Sequence, residues 1–249
     1  FSQFKGKIKS IAIDFPPYHE WIKDKLEKAK KDPQPEWADV DLDNLERMHK
    51  EAETIIHPNP TNKLVIGDSH SICMYRPGWT IKSIPFKTLN GILKEGISNY
   101  IPDEGANYNE IELYFGNIDI RHHIVRLDVD VKELADRYIE QAKELDAKIY
   151  ELLPIENESR KLPQSGYYKG KPFWGTWQER NDARNAFNDY IDSKYGIIRW
   201  TDKLLNAQGE LDFDCMEKPK SIHLSREHYP YWNGVEPDAM SQSLESFFG

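Results

Sequence analysis

Residues 63–71 read Lys-Leu-Val-Ile-Gly-Asp-Ser-His-Ser, and this stretch decides the fold expected of the chain. Three consecutive aliphatic residues, 64–66, are typical of a short strand buried inside a sheet. Gly67 then permits the sharp turn by which such a strand leaves the sheet. Ser69 is therefore expected at the carboxyl end of a strand, the edge at which α/β proteins bind their ligands.

The same arrangement recurs further along the chain. Apolar strands are predicted at 112–115, 148–153 and 196–200, and each ends in a glycine-bearing turn, a proline or a polar pair. Between them, residues 131–147 and 179–194 carry apolar positions at helical spacing. Strands that alternate with helices predict an α/β fold, here a three-layer α/β/α sandwich with a mostly parallel sheet.

Composition divides the rest of the chain. Residues 1–62 hold two amphipathic, helix-like stretches and are interpreted as an N-terminal helical extension packed on the core. The main domain is expected at 63–235, with an insertion at 156–178 that is rich in Gly, Pro and aromatic residues and has no periodicity. Residues 236–249 are interpreted as a C-terminal tail.

Charge and cysteine content exclude several classes of function. The 249 residues carry a formal net charge of −9, which argues against general binding of nucleic acid or of anionic membranes. Cys73 and Cys215 are the two cysteines, too few for a disulfide framework or a paired-cysteine zinc site, so a cytoplasmic location is expected. The apolar runs are too short to span a membrane. The oligomeric state stays open.

Three segments carry residues suited to chemistry. Ser69 follows a strand, and the backbone N–H groups of its turn could stabilise an oxyanion. The plainer interpretation is that Gly-Asp-Ser is a common turn in which Asp68 caps the next helix. The second segment, Gly116 to Asp119, offers Asn117, whose amide could donate to the same oxyanion.

The second segment continues into a dense polar group, and the third contains a histidine. Asp119, Arg121, His122 and His123 lie within five residues at the expected edge of the sheet and are candidates for catalysis or substrate binding. Alternatively, they are surface residues or satisfied core residues. In the third segment His223 could take the proton from Ser69 as a general base, although a lone histidine is more often structural.

These three segments, in this order, resemble the SGNH (GDSL-like) hydrolase superfamily over roughly residues 63–233. The Gly-Asp-Ser-His-Ser and Gly-Asn-Ile-Asp-Ile-Arg-His-His-Ile blocks are similar to a poorly characterised subgroup. The resemblance implies an SGNH or flavodoxin-like fold and a serine esterase or deacylase that acts on a small acylated metabolite or sugar without a cofactor. It also implies that Ser69 is the nucleophile and His223 the base, with the Ser69 N–H, Asn117 and Gly91 or Gly96 as oxyanion donors. We further expect Asp68 and Asp119 among the catalytic residues. The residues expected beside the substrate are His70, Gly91, Arg121, His122 and His123.

The chain departs from the family pattern at two positions. The family places its asparagine two residues after the glycine, where this chain has Ile118. It also places an aspartate three residues before the catalytic histidine, where this chain has Lys220. Asp212, Asp214 or a backbone carbonyl could orient the imidazole instead, since an orienting carboxylate speeds such an enzyme without being indispensable.

Two other functions stay open. The first is a metal-dependent phosphoester hydrolase, acting on a nucleotide or sugar phosphate through a divalent ion that activates water. Its ligands would be Asp68, His70, Asp119, His122 or His123, and His223. The second is a binding protein without catalysis, built on a hydrolase scaffold, because fold and function are separable.

Overall fold

Four parallel strands form the central sheet of the computed structural model, which describes residues 62–84, 87–102, 108–160, 174–217 and 222–232. The strand order is β2-β1-β3-β4. The strands are β1 (Lys63–Gly67), β2 (Thr80–Ser83), β3 (Glu110–Tyr114) and β4 (Lys148–Ile149). The predicted α/β fold, a parallel sheet with flanking helices, is confirmed.

The helices follow the strands in the order expected of this fold. They are α1 (Leu89–Glu95), α2 (Asn117–His122), α3 (Ile124–Leu127), α4 (Val131–Glu144) and α5 (Trp177–Lys194). Short 3-10 helices occur at Ser69–Met74, Ile97–Tyr100, Asp202–Leu204, Phe213–Cys215 and Arg226–His228. The two long helices pack together, with the rings of Tyr138 and Phe187 stacked at 6.4 Å.

Caps and core explain why these segments are helical. The Asp130 carboxylate accepts from two N–H groups at the start of α4, and a reciprocal capping box between Thr176 and Glu179 begins α5. In β1, Leu64 and Ile66 are fully buried, as the aliphatic run predicts. Removal of this apolar surface from water is the main force that holds the sheet and helices together.

The register of the sheet gathers the strand ends at one edge. Gly67 of β1 pairs with Ser83 of β2 and with Tyr114 of β3. Because all strands run in parallel, the turn after Gly67 and the turn after Tyr114 leave the sheet side by side. The first and second candidate segments are therefore neighbours.

A partly buried arginine anchors the last described segment to the sheet. The guanidinium of Arg76 lies between the rings of Trp79 and Tyr231, at 3.5 and 4.0 Å from their centroids. It also donates to Glu112 of β3 at 2.5 Å and to the Tyr150 hydroxyl at 2.8 Å. The chain around Tyr231 is thus held against β3 by stacking and by charge together.

Two predicted strands are shorter in the structure. The strand expected at 148–153 ends at Ile149, and the one expected at 196–200 is a single bridge between Tyr150 and Ile198. The physical reason lies in side-chain amides, since Asn188 and Asn117 accept the backbone N–H groups of residues 152 and 153. These amides take the place of a neighbouring strand.

Several predictions concern residues outside the described ranges. The helical extension at 1–62 and the tail at 236–249 lie outside them, apart from residue 62, and so do residues 161–173 of the insertion. These assignments stay predictions. Within the described ranges, no helix combines the length and the hydropathy needed to cross a bilayer.

Candidate active site

The turn that carries Ser69 depends on the absence of a side chain at residue 67. A Cβ atom on Gly67 would lie 2.3 Å from the carbonyl oxygen of Tyr114 and 2.7 Å from the Cβ of Ser71. The Asp68 N–H donates to that same carbonyl at 3.1 Å. Only glycine therefore allows β1 to pass this close to β3 and to turn at once into the Ser69–Met74 helix.

Asp68 lies buried beneath this turn and caps it. Its Oδ1 accepts from the N–H of His70 at 2.9 Å, and its Oδ2 accepts from the N–H of Asn117 at 3.2 Å. Burial raises the pKa of Asp68 to about 7, against the opposing effect of these donors and of Arg121. The capping interpretation of Asp68 fits this geometry.

Asn117 is a structural link and does not line the pocket. Gly116 adopts a left-handed conformation, with φ of 117°, and α2 begins at Asn117 directly after β3. The Asn117 side chain is fully buried, with Oδ1 accepting from the Leu153 N–H at 3.1 Å and Nδ2 lying 3.4 Å from Asp68 Oδ2. Its amide is directed at Asp68, which differs from the oxyanion role predicted for it.

Ser69 and His223 come together although 154 positions separate them. The Ser69 Oγ lies 3.4 Å from the His223 Nε2, and both side chains are partly exposed. A small pocket opens beside them, and its wall is mostly apolar. The lining residues are Ser69, His70, Ile72, Cys73, Leu153, Glu217, His223, Leu224 and Tyr229.

Two further side chains surround the His223 ring. The His70 ring stacks on it, with centroids 4.8 Å apart and planes inclined by 29°. Burial holds the pKa of His70 well below its usual range, with His223 and nearby arginines adding to the effect, so His70 is neutral at pH 7. At the edge of the ring, Glu217 Oε1 lies 3.7 Å from His223 Nδ1. Glu217 was not among the candidate residues predicted from the sequence.

A short antiparallel hairpin holds Glu217 opposite His223. Met216 and Leu224 form a bridge, and the Glu217 N–H donates to the carbonyl oxygen of His223 at 3.0 Å. Of the carboxylates considered from the sequence, that of Asp212 accepts from the N–H of Asp214 at 3.0 Å, and that of Asp214 is exposed. In the sequence, Pro219 lies between Glu217 and His223 and indicates a turn. That turn is a signal from which the pairing of Glu217 with His223 could have been predicted.

Other candidates from the second segment are engaged in the fold. The Asp119 carboxylate accepts from the N–H groups of Leu89 and Asn90 at 2.6 and 3.2 Å, and thereby caps α1. Burial raises the pKa of Asp119 to about 6. Gly91 donates its N–H to the Thr88 hydroxyl at 3.1 Å.

The alternative glycine donates its N–H to a carbonyl oxygen. This is Gly96, whose N–H lies 2.8 Å from the oxygen of Ile92. Because neither N–H group of the two glycines points into the pocket, neither supplies the second oxyanion donor that the resemblance implied.

The basic residues of the second segment also lie outside the pocket wall. Arg121 is buried and places its Nε 2.9 Å from both carboxylate oxygens of Glu156. Burial, together with Arg160 and Arg121, lowers the pKa of the half-buried His122 to about 3. The Nδ1 of His123 lies 2.9 Å from the guanidinium of Arg126. These three residues were expected to contact a substrate, but none of them lines the described pocket.

The alternative set of metal ligands does not converge. Among the described residues, no three His, Cys, Asp or Glu side chains form a group that could hold a metal ion. Asp68 and Asp119 each cap a different helix, and His70 stacks on His223. The donor set needed for a metal-activated water is therefore not formed by these residues.

Comparison with known proteins gives structural similarities alone. Neither a protein-family model nor a curated protein sequence matches the chain. A protein of Streptococcus pneumonia, described with reference to a platelet activating factor, is 16% identical with a TM-score of 0.49, covering 93% of this chain and 92% of its own. The OSK domain of Drosophila Oskar is 18% identical with a TM-score of 0.40, covering 73% and 86%.

A third solved structure is a member of the lipolytic protein G-D-S-L family from Veillonella parvula. It is 11% identical with a TM-score of 0.36, covering 67% of this chain and 90% of its own. At these identities and TM-scores, the similarities carry no conclusion about chemistry.

Proposed function

We propose that the chain is a serine hydrolase that cleaves carboxylic esters, with Ser69 as nucleophile and His223 as general base. One observation carries this proposal: Ser69 Oγ lies 3.4 Å from His223 Nε2 at the mouth of a pocket, next to the carboxyl edge of a parallel sheet. A hydroxyl becomes a useful nucleophile when a base within reach accepts its proton. The distance is that of a pair at rest, which shortens when substrate binds.

The first half of the reaction transfers the acyl group to the protein. Ser69 Oγ attacks the ester carbonyl carbon as His223 Nε2 takes the hydroxyl proton, and the carbonyl oxygen becomes an oxyanion. The Ser69 N–H is suited to stabilise it, because the first N–H groups of a helical turn have no partner within the turn. The oxyanion then collapses, the bond to the leaving alcohol breaks, and His223 returns the proton to that alcohol.

The second half releases the acid. Water gives a proton to His223 Nε2 and attacks the acyl carbon, and the second tetrahedral oxyanion expels Ser69 Oγ, which recovers the proton from His223. Every proton in the cycle passes through one ring nitrogen. For that reason His70, kept neutral by burial, is suited to hold the ring by stacking without competing for the proton.

The pocket wall favours a short, uncharged acyl group. Ile72, Leu153 and Leu224 are buried aliphatic residues of that wall. Against these three side chains, an acyl chain with a charge would lose hydration without gaining a partner. A small acylated metabolite or sugar is the substrate class that we propose.

The experiment compares two reactions in parallel: hydrolysis of a short acyl-nitrophenyl ester and of a phenyl phosphate, each with a chelator and with added divalent metal. Ester cleavage indifferent to the chelator is the expected result. Metal-dependent phosphate release would overturn the proposal in favour of a phosphoesterase. Absence of both activities, together with binding of an ester analogue, would favour a binding protein.

Replacement of Ser69 by Ala tests the nucleophile. Turnover of the ester should fall by roughly 10³-fold or more, because the hydroxyl that forms the acyl intermediate is removed. The thermal transition should stay unchanged, since the hydroxyl is partly exposed. The matched control is Ser71→Ala in the same turn, whose buried hydroxyl lies outside the pocket wall and should leave turnover intact. Equal turnover of S69A and wild type would exclude Ser69 as nucleophile.

A further inference from the structure

We infer that Glu217 is the positioning carboxylate of this site, holding His223 from across a hairpin. The inference rests on the proposed function of Ser69 and His223. It assigns to Glu217 the role for which the resemblance implied an aspartate at position 220 and for which Asp212 and Asp214 were considered. The partners of the two ring nitrogens, the backbone of the hairpin and the neutrality of the neighbouring groups all favour this role.

The two ring nitrogens of His223 face different partners. His223 Nε2 faces Ser69 Oγ at 3.4 Å, whereas Nδ1 faces Glu217 Oε1 at 3.7 Å. An imidazole can accept a proton at Nε2 only in the tautomer that carries its hydrogen on Nδ1. A carboxylate beside Nδ1 selects that tautomer, and it stabilises the imidazolium that forms when Ser69 is deprotonated.

The backbone fixes the two side chains relative to each other. The Glu217 N–H donates to the His223 carbonyl oxygen at 3.0 Å, and the Ser225 N–H donates to the Cys215 carbonyl oxygen at 2.9 Å. With the bridge between Met216 and Leu224, these contacts make an antiparallel pair of short segments. Residues opposite each other on such a pair have neighbouring side chains, so the separation of Glu217 from His223 is set locally.

The other described groups of the pocket beside the His223 ring are neutral. Besides Ser69 and Glu217, the described groups at the ring are His70, kept neutral by burial, and the pocket residues Cys73 and Tyr229. Burial raises the pKa of both the Cys73 thiol and the Tyr229 hydroxyl, so both are neutral at pH 7. Glu217 is itself four-fifths buried, which strengthens its effect on a cation 3.7 Å away.

The experiment is the Glu217→Gln substitution, which keeps shape and removes charge. We expect kcat for the ester to fall roughly 10²-fold or more with KM nearly unchanged, since the effect lies on the transition state. The acid limb of the kcat/KM profile should move to lower pH, because the imidazolium loses its stabilising charge. The matched control is Asp214→Asn, an exposed carboxylate of the same region that should change neither quantity.

A second measurement does not depend on activity. NMR titration of the His223 ring, assigned by comparison with His223→Gln, should show its midpoint at lower pH in E217Q than in wild type and D214N. Glu217→Asp should recover part of both effects. An unchanged midpoint and an unchanged acid limb in folded E217Q would overturn the role of Glu217 even if S69A is inactive. Conversely, a shifted midpoint in a protein whose S69A variant keeps full turnover would preserve the contact and reject the proposed function.

Discussion

The carbonyl oxygen of Tyr114 limits residue 67 to glycine. A methyl group on Gly67 would meet this backbone oxygen at 2.3 Å, and a backbone atom in a central strand cannot move aside cheaply. Gly67→Ala should therefore lower the free energy of unfolding by about 3 kcal/mol. It should also reduce ester turnover, because the turn carries Ser69.

The control for this prediction is Gly209→Ala. Gly209 has φ of 78°, and a methyl group added there would meet no atom within 4 Å, so the cost is the left-handed backbone alone, about 1 kcal/mol. Chemical denaturation of both variants measures the difference. Equal stability losses at the two positions would mean that β1 and β3 do not approach each other this closely.

At the residue scale, the sequence predicted the proximity of Ser69 and His223 but not the partners of Asn117. The strand-to-turn pattern at Ser69 and the order of the segments led us to expect the proximity of Ser69 to His223. The same reasoning assigned Asn117 to an oxyanion, whereas its amide is used by Asp68 and by the Leu153 N–H. A buried polar side chain takes whichever partner the fold brings to it, and residue type alone does not identify that partner.

Among the elements, the segment around Tyr231 is held by Arg76 and by the Tyr150 hydroxyl, which lies 2.9 Å from that of Tyr231. Arg76→Met should destabilise the protein by about 3 kcal/mol, because it leaves the Glu112 carboxylate buried without its cation, with the Tyr150 hydroxyl still donating to it. Adding Glu112→Gln to Arg76→Met should restore part of the loss if charge is the cause. Denaturant unfolding gives the values.

An exposed ion pair serves as the reference for this prediction. Lys148 pairs with Glu110 at 2.7 Å, and their side chains are 58% and 28% exposed. Lys148→Met should cost less than about 1 kcal/mol, as surface pairs do. If R76M were no more harmful than K148M, Arg76 would not be the anchor of that segment.

Helices were predictable where the apolar pattern repeats over a long enough segment. The α4 and α5 helices were predicted because each repeats its apolar face over several turns. Strand β2 was not predicted, because Thr-Ile-Lys-Ser is too short and too polar to stand out. Helix α1 was not predicted either, because its seven residues are too few to show a helical period. The strand expected at 148–153 was too long because amides from distant residues end it.

For the molecule as a whole, buried ionisable groups make stability depend on pH in opposing directions. Asp68 and Asp119, with pKa values raised to about 7 and about 6, bind protons more tightly when folded, so their contribution falls as pH rises from about 4. His122, with its pKa lowered to about 3, binds protons more weakly when folded. Its contribution falls as pH drops below about 6.5, the ordinary value for histidine.

Replacement of His122 by Gln isolates one of these contributions. Between about pH 6.5 and pH 3, wild type should lose stability relative to His122→Gln by at most about 1.4 kcal/mol per pH unit. Because the ring is only half-buried, screening by solvent makes the loss smaller than this limit. Unfolding free energies of both proteins at pH 4, 5, 6 and 7 measure this. A difference that stays constant across this range would mean that His122 titrates normally in the folded protein.

The hairpin that pairs Met216 with Leu224 has a mechanical consequence for the whole site. Glu217 and His223 both lie on this hairpin, whereas Ser69 begins the helix that follows β1. A rigid displacement of the hairpin would preserve the tautomer of the ring while lengthening the gap to the serine. A single distance, from the hairpin to the Ser69–Met74 helix, would then describe the geometry of the site. A pair of spectroscopic labels could follow that distance.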